Sequence, residues 1–310
     1  MKQITLEGIR KPIFPLIMGS DFFAPEQTGM VADLLDEFFV LGGNMIDTAH
    51  IYVGGKSEQA IGQWMQMRGN RRDLLILTKG GHHDKHGPRV NAECIALDLA
   101  ESLERLQTDY IDLYMLHRDD SNIPVSHIMD AVHAHKEAGR IHAFGVSNWT
   151  GKRIQEANEY AYKHDLTPIS ASSPNLSLAK PNEPRWEGCI SVDENEWKWY
   201  EQSGMPLFSW SSQASGFFKD RFSPEKRDNE EIVRVYYHDR NWERKRRAGE
   251  LARGKGVETV QISLAYVLNQ PFPTAALIGP RTKEEMRSCF DARKIELTPE
   301  EIRWLDLLDE

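Results

Sequence analysis

The sequence is poor in cysteine and has no long apolar run. Its 310 residues include three cysteines, Cys94, Cys189 and Cys289, whose spacing matches no metal-binding motif. Three thiols cannot all pair with one another, so a reducing compartment is the simpler expectation. No apolar segment approaches the ~18 residues that span a membrane, and residues 1–14 lack the apolar core of a secretion signal. We therefore expect a cytoplasmic protein without a membrane partner.

Basic residues are outnumbered by acidic ones. The formal net charge is -9 and the pI is near 5.7, which argues against nucleic acid as the main partner. Apolar residues make up 40% of the chain and charged residues 27%, a balance typical of a globular protein with a large core. No low-complexity linker or shift in composition divides the chain, so we expect a single domain over residues 1–310.

Short apolar runs alternate with amphipathic helical patterns along the whole chain. The predicted strands are Phe14–Gly19, Met45–Asp47, Leu74–Thr78, Ile111–Leu116, His142–Val146, Pro168–Ala171, Pro206–Trp210 and Ala275–Ile278. The predicted helices are Thr28–Leu41, Ser57–Met67, Asn91–Leu106, Val125–Ala138, Gly151–His164, Glu194–Gln202, Asn241–Lys255 and Lys283–Ala292. Repeated βα units predict a parallel sheet with right-handed crossovers. Eight such units predict closure into one (β/α)8 TIM barrel.

Three segments fall outside this alternation. The start of the chain, residues 1–14, resembles a short β-hairpin that would cap the N-terminal mouth of the barrel. Gln213–Arg240 is a long, aromatic and charged insertion after the seventh predicted strand. Val260–Asn269 is an extra helical pattern before the eighth strand.

Four ionisable residues stand at or just past the ends of predicted strands. They are Asp47, Tyr52, Lys79 and His117. The C-terminal rim of a parallel barrel brings residues from several strand ends into one site. A phenol, an ammonium, a carboxylate and an imidazole in one site make a proton-donating group of residues, and we expect these four to form it.

Five motifs run through the chain in a fixed order. They are GGNMIDTAHIYVGGKSE (residues 42–58), LTKGG (77–81), SLERLQTDYIDLYMLHRDD (102–120), KEAGRIHAFGVSNW (136–149) and IGPRTKEEM (278–286). In order and spacing they resemble the aldo-keto reductase family, over nearly the whole length. The resemblance implies a (β/α)8 barrel that reduces aldehydes or ketones to alcohols with a nicotinamide cofactor, usually NADPH.

The resemblance also assigns roles to the four ionisable residues. Tyr52 would be the general acid, although a free phenol with a pKa of about 10 is a poor donor near neutrality. Lys79 would lower the pKa of Tyr52, because a neighbouring ammonium favours the phenolate. Asp47 would hold Lys79 charged and oriented. His117 would donate a hydrogen bond to the carbonyl oxygen and stabilise charge as it forms.

Cofactor positions follow from the same resemblance. Ser147 and Asn148 would bond the nicotinamide carboxamide, and Trp210 would stack on the nicotinamide ring. The pyrophosphate would lie against Ser211, Gln213 and Ser215. The adenosine and 2′-phosphate would lie against Gly279, Arg281 and Thr282, where a helix begins beside an arginine.

Three departures from the family pattern affect the cofactor expectation. No glutamine stands in the sixth strand segment, so Ser172 or Ser173 would replace its contact to the carboxamide. Glu285 replaces a common glutamine, and its carboxylate would be unfavourable near a 2′-phosphate. Ser288 and Cys289 stand where the family usually has the Asp or Asn that binds adenine. We expect NADP(H), with NAD(H) as the open alternative.

The strand-end loops predict a polar substrate pocket. Its candidate residues are Asp21, Phe22, Phe23, His50, Arg118 and Trp149, with aromatic residues of the insertion. This mixture fits a polar, sugar-like small-molecule carbonyl substrate. Three alternatives stay open: an alcohol or sugar dehydrogenase working in the oxidative direction, a cofactor-binding regulatory protein, and a metal-dependent barrel hydrolase or isomerase using His82, His83 and His86. The oligomeric state is not indicated by the sequence.

Overall fold

Eight parallel strands close into a barrel in the computed structural model, which describes residues 3–309. The strands are β1 (Leu16–Gly19), β2 (Met45–Asp47), β3 (Leu75–Gly80), β4 (Ile111–Leu116), β5 (Ile141–Ser147), β6 (Ile169–Ser173), β7 (Leu207–Ser209) and β8 (Thr274–Ile278). Each strand pairs with the next along the chain, and β1 pairs in parallel with β8. The predicted (β/α)8 barrel is therefore confirmed.

The helices surround the barrel. They are α1 (Thr28–Val40), α2 (Lys56–Arg68), α3 (Ala92–Leu106), α4 (Val125–Glu137), α5 (Gly151–Lys163), α6 (Glu194–Ser203), α7 (Glu230–Tyr236), α8 (Asp239–Lys255), α9 (Thr259–Leu268), α10 (Lys283–Ala292) and α11 (Pro299–Leu305). The predicted helices lie within a few residues of these bounds. No helix within residues 3–309 is both long enough and apolar enough to cross a membrane.

Both faces of the strands are buried, which explains their nearly continuous apolar sequences. Alternate residues such as Leu75, Leu77 and Met115 fill the inside of the barrel, whereas Ile76 and Leu116 pack outward against the helices. Since the interior is filled with side chains, a large ligand has room only beyond the strand ends, above this packed core.

The hairpin before the barrel is shorter than a pair of strands. Ile4 and Ile13 form one antiparallel bridge with two backbone hydrogen bonds, of 3.1 and 2.7 Å. The chain reverses near Gly8, whose φ of +86° suits glycine. Residues 1 and 2 of the predicted hairpin lie outside the described residues. Because Ile4 and Ile13 pack on the inner core, the hairpin covers that end of the barrel.

Two helices were not predicted from the sequence, α7 inside the insertion and α11 at the C-terminal end. Each has seven residues, which is too short for a clear apolar period. Both carry a capping signal at the N-terminus. The side chain of Asn229 accepts a hydrogen bond from the Ile232 amide, and Thr298 and Glu301 form a capping box. These capping residues were the features of the sequence from which the two helices could have been predicted.

Substitution of two helical glycines by alanine should change the free energy of unfolding in opposite directions. A Cβ on Gly62 in α2 would lie 2.4 Å from the Arg105 carbonyl oxygen of α3, whereas a Cβ on Gly29 in α1 would meet no atom within 4 Å. We expect Gly62→Ala to lower the free energy of unfolding by about 1–3 kcal/mol through overpacking. Gly29→Ala should raise it by up to about 1 kcal/mol through helix propensity. Urea unfolding measures both, and equal effects would contradict this packing.

Candidate active site

Lys79 lies at the centre of the four predicted residues. Its Nζ donates hydrogen bonds to Asp47 Oδ1 at 2.5 Å, the Thr48 carbonyl oxygen at 2.9 Å and Tyr52 Oη at 3.2 Å. Asp47 and Lys79 reach each other because β2 and β3 are neighbours in the sheet. The three acceptors match the three N–H groups of an ammonium. The sequence expectation that these residues lie together agrees with this geometry.

A tight turn brings the Tyr52 hydroxyl to Lys79. Tyr52 begins a short helical turn in which Val53 has φ +51° and Gly54 and Gly55 have φ +64° and +88°. The left-handed conformation is costly for a β-branched residue such as valine. This strained backbone lets the chain leave the rim at Tyr52 and enter α2 at once.

His117 follows β4 and closes the other side of the group. Its ring centroid lies 5.7 Å from that of Tyr52, with the planes nearly perpendicular. Burial lowers the pKa of His117 well below its usual range, and the positive charges of Lys79 and Arg118 lower it further. The imidazole is therefore neutral and carries one N–H. Its Nδ1 is sealed from solvent without a hydrogen-bond partner among residues 3–309.

The pKa of Tyr52 differs from the expectation. Burial raises it well above the ordinary value, and the carboxylates of Asp47 and Asp21 raise it further, against a lowering by Arg118. Burial also raises the pKa of Asp47 to about 6 and lowers that of Lys79, although the ion pair opposes both shifts. The net pKa of Tyr52 is therefore raised rather than lowered, and the lowering effect expected of Lys79 stays a prediction. Tyr52 is a protonated phenol at neutral pH.

A cavity of about 1460 Å³ extends from these residues to the turn between β8 and α10. It exceeds the 300–1,000 Å³ typical of ligand pockets. The predicted residues that line it are Asp47, Tyr52, Lys79, His117, Arg118, Ser147, Asn148, Trp210, Ser211, Gln213, Ser215, Gly279, Arg281 and Glu285. Its size and length leave room for a dinucleotide together with a substrate.

Seven predicted site residues do not line the cavity, and two of them, Phe23 and Ser173, are fully buried. The Ser172 side chain points toward α6 and accepts a hydrogen bond from Tyr200 Oη at 2.8 Å. Trp149 is fully buried and donates from Nε1 to the Arg118 carbonyl oxygen, and His50 bonds Glu101 at 2.7 Å. The remaining two, Phe22 and Thr282, contact residues that line the cavity. Phe22 lies under the Arg281 guanidinium, 3.4 Å from its ring centroid, and Thr282 caps α10.

The side chains of Ser147, Asn148 and Trp210 bond chiefly to the protein. Ser147 Oγ donates to the Ser173 carbonyl oxygen, and Asn148 Nδ2 donates to Ser147 Oγ and to the His117 carbonyl oxygen. Asn148 Oδ1 accepts from Trp210 Nε1 at 3.2 Å. Asn148 has φ +61°, and this conformation turns the chain into the network. Trp210 is therefore held in place at the cavity wall by Asn148.

The loop between β6 and α6 also borders the site and was not predicted from the sequence. It contributes Arg185, Trp186, Glu187 and Cys189 to the cavity wall. Arg185 bonds Ser211 Oγ at 3.0 Å, also bonds Ser215 Oγ, and pairs with Glu231 at 2.8 Å. A loop of this length, about 20 residues, is commonly functional, and that length was the available signal. Three basic side chains that were not predicted also line the cavity: Lys219, Arg221 and Arg253.

The histidine loop has no arrangement of metal ligands. His82 and His83 line the cavity, their ring centroids lie 4.2 Å apart, and the His82 ring lies 4.9 Å from that of His117. His86 is exposed and does not line the cavity. Across residues 3–309, no three His, Cys, Asp or Glu side chains are grouped so as to hold a metal ion. The geometry gives no support to the metal-dependent alternative.

Comparison with known proteins identifies the family. A family profile described as "Aldo/keto reductase family" matches residues 18–310. Norsolorinic acid reductase B of Aspergillus parasiticus is 29% identical over 95% of this chain and 80% of its own length. A putative aryl-alcohol dehydrogenase of Saccharomyces cerevisiae is 30% identical over 96% of this chain and 83% of its own. The chain belongs to the aldo-keto reductase family, and it is an NAD(P)-dependent oxidoreductase.

Solved structures agree on the fold. A thermostable aldo-keto reductase, crystallised with the inhibitor epalrestat, superposes with a TM-score of 0.77 at 23% identity and 100% coverage of both chains. An aldo/keto reductase from Klebsiella pneumoniae, solved with NADP and acetate, gives a TM-score of 0.73 at 21% identity over 98% of this chain and 94% of its own. At such identities the likeness supports the barrel fold.

The His82 position predicts a pH dependence of stability. Burial lowers its pKa from 6.5 to about 4, so the unfolded state binds the proton more readily. His82 therefore contributes stability that is present above pH 6.5 and lost as the pH falls toward 4. We expect the free energy of unfolding of the His82→Gln variant to fall less steeply between pH 6.5 and 4. Denaturant unfolding at several pH values measures this slope.

His86→Gln is the matched control, because His86 belongs to the same loop and is exposed. It should keep the slope of the unsubstituted protein. Equal slopes for the His82 and His86 variants would contradict the burial of His82.

Proposed function

We propose that this protein reduces a polar aldehyde or ketone to an alcohol with NADPH, and that Tyr52 donates the proton. The observation that carries the proposal is the Lys79 ammonium, bonded at once to Tyr52 Oη and to Asp47 inside a cavity large enough for a dinucleotide and a substrate. A phenol, its cationic neighbour and a neutral imidazole then meet at one point of the wall. Carbonyl reduction requires these groups there.

The proton transfer is assigned to Tyr52 and Lys79. Tyr52 stays protonated at neutral pH because burial raises its pKa, so the hydroxyl proton is available. When that proton moves to the forming alkoxide, the phenolate left behind is stabilised by the Lys79 ammonium 3.2 Å away. Asp47 keeps the ammonium in place.

His117 orients the carbonyl oxygen. Its neutral imidazole can donate one N–H, and the ring faces Tyr52 edge to face. Two donors, the Tyr52 hydroxyl and the His117 imidazole, would then point at the same oxygen. A preorganised pair of donors stabilises the charge that develops on this oxygen in the transition state.

The residues fit a nicotinamide dinucleotide, which supplies the hydride when bound. Trp210 offers an indole face at the cavity wall and is fixed by its bond to Asn148. Ser211, Gln213 and Ser215 line the middle of the cavity, and the backbone of Ser211 and Ser215 has positive φ. Such strained turns are common where backbone N–H groups approach a ligand. Gly279 and Arg281 line its far end.

The NADPH preference is supported by the environment of Glu285. Its carboxylate pairs with Lys219 at 2.5 Å and accepts a hydrogen bond from the Arg281 amide at 2.8 Å. The negative charge is thereby offset, so it would not repel a 2′-phosphate. Arg281 itself is stacked on Phe22 and makes no ion pair within residues 3–309. An arginine held by a ring and without a carboxylate partner suits a phosphate.

The remaining parts of the proposal concern the substrate, the compartment and the domain. Asp21, His82, Arg118 and Glu187 border the cavity near Tyr52, which favours a polar, sugar-like carbonyl compound over a steroid.

All three cysteines are free thiols, in keeping with the reducing cytoplasm. We also propose that residues 1–310 form a single domain.

Tyr52→Phe tests the proton donor. The variant keeps the ring and loses the hydroxyl bonded to Lys79. We expect kcat to fall by at least about 100-fold, the usual size of general acid catalysis, while the dissociation constant for NADPH changes little. Steady-state kinetics with an aromatic aldehyde and a fluorescence titration with NADPH measure the two quantities.

Tyr162→Phe is the control, because Tyr162 is exposed on α5 and does not line the cavity. It should retain full kcat. An unchanged kcat in Tyr52→Phe would remove Tyr52 from the mechanism.

Arg281→Ala tests the cofactor preference. Loss of the guanidinium should weaken NADPH binding and leave NADH binding nearly unchanged, because NADH carries no 2′-phosphate. We expect the ratio of the two dissociation constants to shift by about tenfold or more, the effect of about 1.4 kcal/mol. Arg287→Ala is the control, since Arg287 lies on α10, the helix that follows Arg281, but pairs with Glu37 away from the cavity. An unchanged ratio in both variants would refute the assignment.

A further inference from the structure

Arg118 is a buried guanidinium beside the proposed catalytic residues. It follows His117 directly, is 7% exposed and lines the cavity. Nη1 donates to the His117 carbonyl oxygen at 2.8 Å, and Nε donates to the Glu187 carbonyl oxygen at 3.3 Å. Both bonds go to backbone oxygens, which carry no net charge. The positive charge of Arg118 is therefore held in place without being neutralised.

No carboxylate oxygen within residues 3–309 comes within 4.0 Å of the Arg118 nitrogens, so no ion pair forms. The nearby arginine Arg153 differs, since it pairs with Asp119 at 3.3 Å. A buried charge without a partner is costly, and proteins usually pair it or leave it for a ligand. Arg118 lacks the protein partner and borders a cavity.

One end of the Arg118 guanidinium is free for a ligand. Nη2 makes no hydrogen bond in the described part of the chain. It is nevertheless accessible to solvent, since the buried polar atoms that lack a partner do not include it. Because Arg118 is almost wholly buried and lines the cavity, the opening that Nη2 faces is the cavity. Nη2, which has no acceptor in the described part of the protein, can therefore donate to an anionic oxygen in the space where the substrate would lie. A charged donor of this kind suits a carboxylate.

The loop between β6 and α6 holds Arg118 from the other side. Gly188 has φ +71°, and a Cβ there would lie 3.3 Å from Arg118 Cδ. The backbone of this loop therefore packs directly on the arginine stem. The neighbouring Trp186 is 47% exposed although it lines the cavity, and its ring lies 5.7 Å from that of Trp210. The Arg185 guanidinium lies over the Trp186 ring, 4.4 Å from its centroid, and the exposed part of the indole offers a surface for an aromatic ring.

The charged groups near Tyr52 and His117 leave Arg118 without a counter-charge. Asp47 and Lys79 neutralise each other at 2.5 Å. His117 and His82 are neutral imidazoles at pH 7, as burial lowers both pKa values. Two acidic side chains of the wall, Asp21 and Glu187, are exposed to solvent. A substrate that enters the cavity next to His117 therefore meets one uncompensated buried positive charge.

We propose that Arg118 selects carbonyl substrates that carry a carboxylate, with the carboxylate bound by Arg118 while the carbonyl faces Tyr52 and His117. This inference deepens the proposed reductase function and depends on it. It names a specificity-determining residue and a substrate class, oxo-carboxylic acids. An aromatic ring between the two groups would lie against Trp186.

The test compares 4-formylbenzoate, which carries a carboxylate, with its uncharged methyl ester. With NADPH, the unsubstituted protein should show a kcat/KM for the acid at least tenfold above that for the ester. Arg118→Met, which keeps the length of the stem, should abolish that preference while the ester is still reduced. Arg118→Lys should keep part of it, because the charge remains and the planar pair of donors is lost. Arg153→Met is the matched control and should retain the full preference.

The outcomes separate this inference from the reductase proposal. If neither substrate is reduced, the proposed function itself fails. If the ester is reduced and the acid is not favoured, the reductase function stands and the role of Arg118 is refuted. An equal loss of kcat/KM for both substrates in Arg118→Met would also refute it, because that pattern means Arg118 merely supports His117. Should the methionine variant fail to fold, the acid-to-ester ratio in Arg118→Lys decides between these outcomes.

Discussion

The candidate site depends on keeping one ammonium inside the barrel rim. The side chains of Lys79 and Asp47 are 2% and 3% exposed, and a buried charge without a partner costs several kcal/mol. Three acceptors meet the three N–H groups: the Asp47 carboxylate, the Thr48 carbonyl oxygen and the Tyr52 hydroxyl. The neighbouring strands β2 and β3 and the strained turn at Val53 are needed to bring them together. The hydrogen bonds that satisfy the Lys79 ammonium therefore also set the position of the Tyr52 hydroxyl.

The loops above the rim add what the strands cannot supply. Several strands end in small residues, such as Gly19, Gly80 and Ser209. The long loop after β6 contacts the segment after β7. Arg185 makes this connection through Ser211, Ser215 and Glu231. The same loop fixes the stem of Arg118 through Gly188. One segment thus borders both the proposed cofactor region and the proposed substrate region, so changes in it are expected to affect both.

Sequence reasoning succeeded where a residue's place follows from the strand that carries it. Asp47 and Lys79 end buried strands, and parallel strands in order bring their ends to one rim. It failed where the direction of a side chain was needed. Ser172 and Ser173 are adjacent in β6 and point to opposite faces, and the sequence does not say which serine faces inward. His50 was assigned to the pocket, although its partner Glu101 lies 51 residues away on α3.

The sequence by itself determined the barrel, the order of its strands and the identity of the residues at the rim, because apolar periodicity and motif order are local properties of the chain. Only the tertiary structure decided which of those residues face the cavity and how they are charged. The raised pKa of Tyr52, the neutral His117 and the unpaired Arg118 all follow from burial and from neighbours far away along the chain. Desolvation and long-range pairing arise once the chain has folded, so no local pattern carries them.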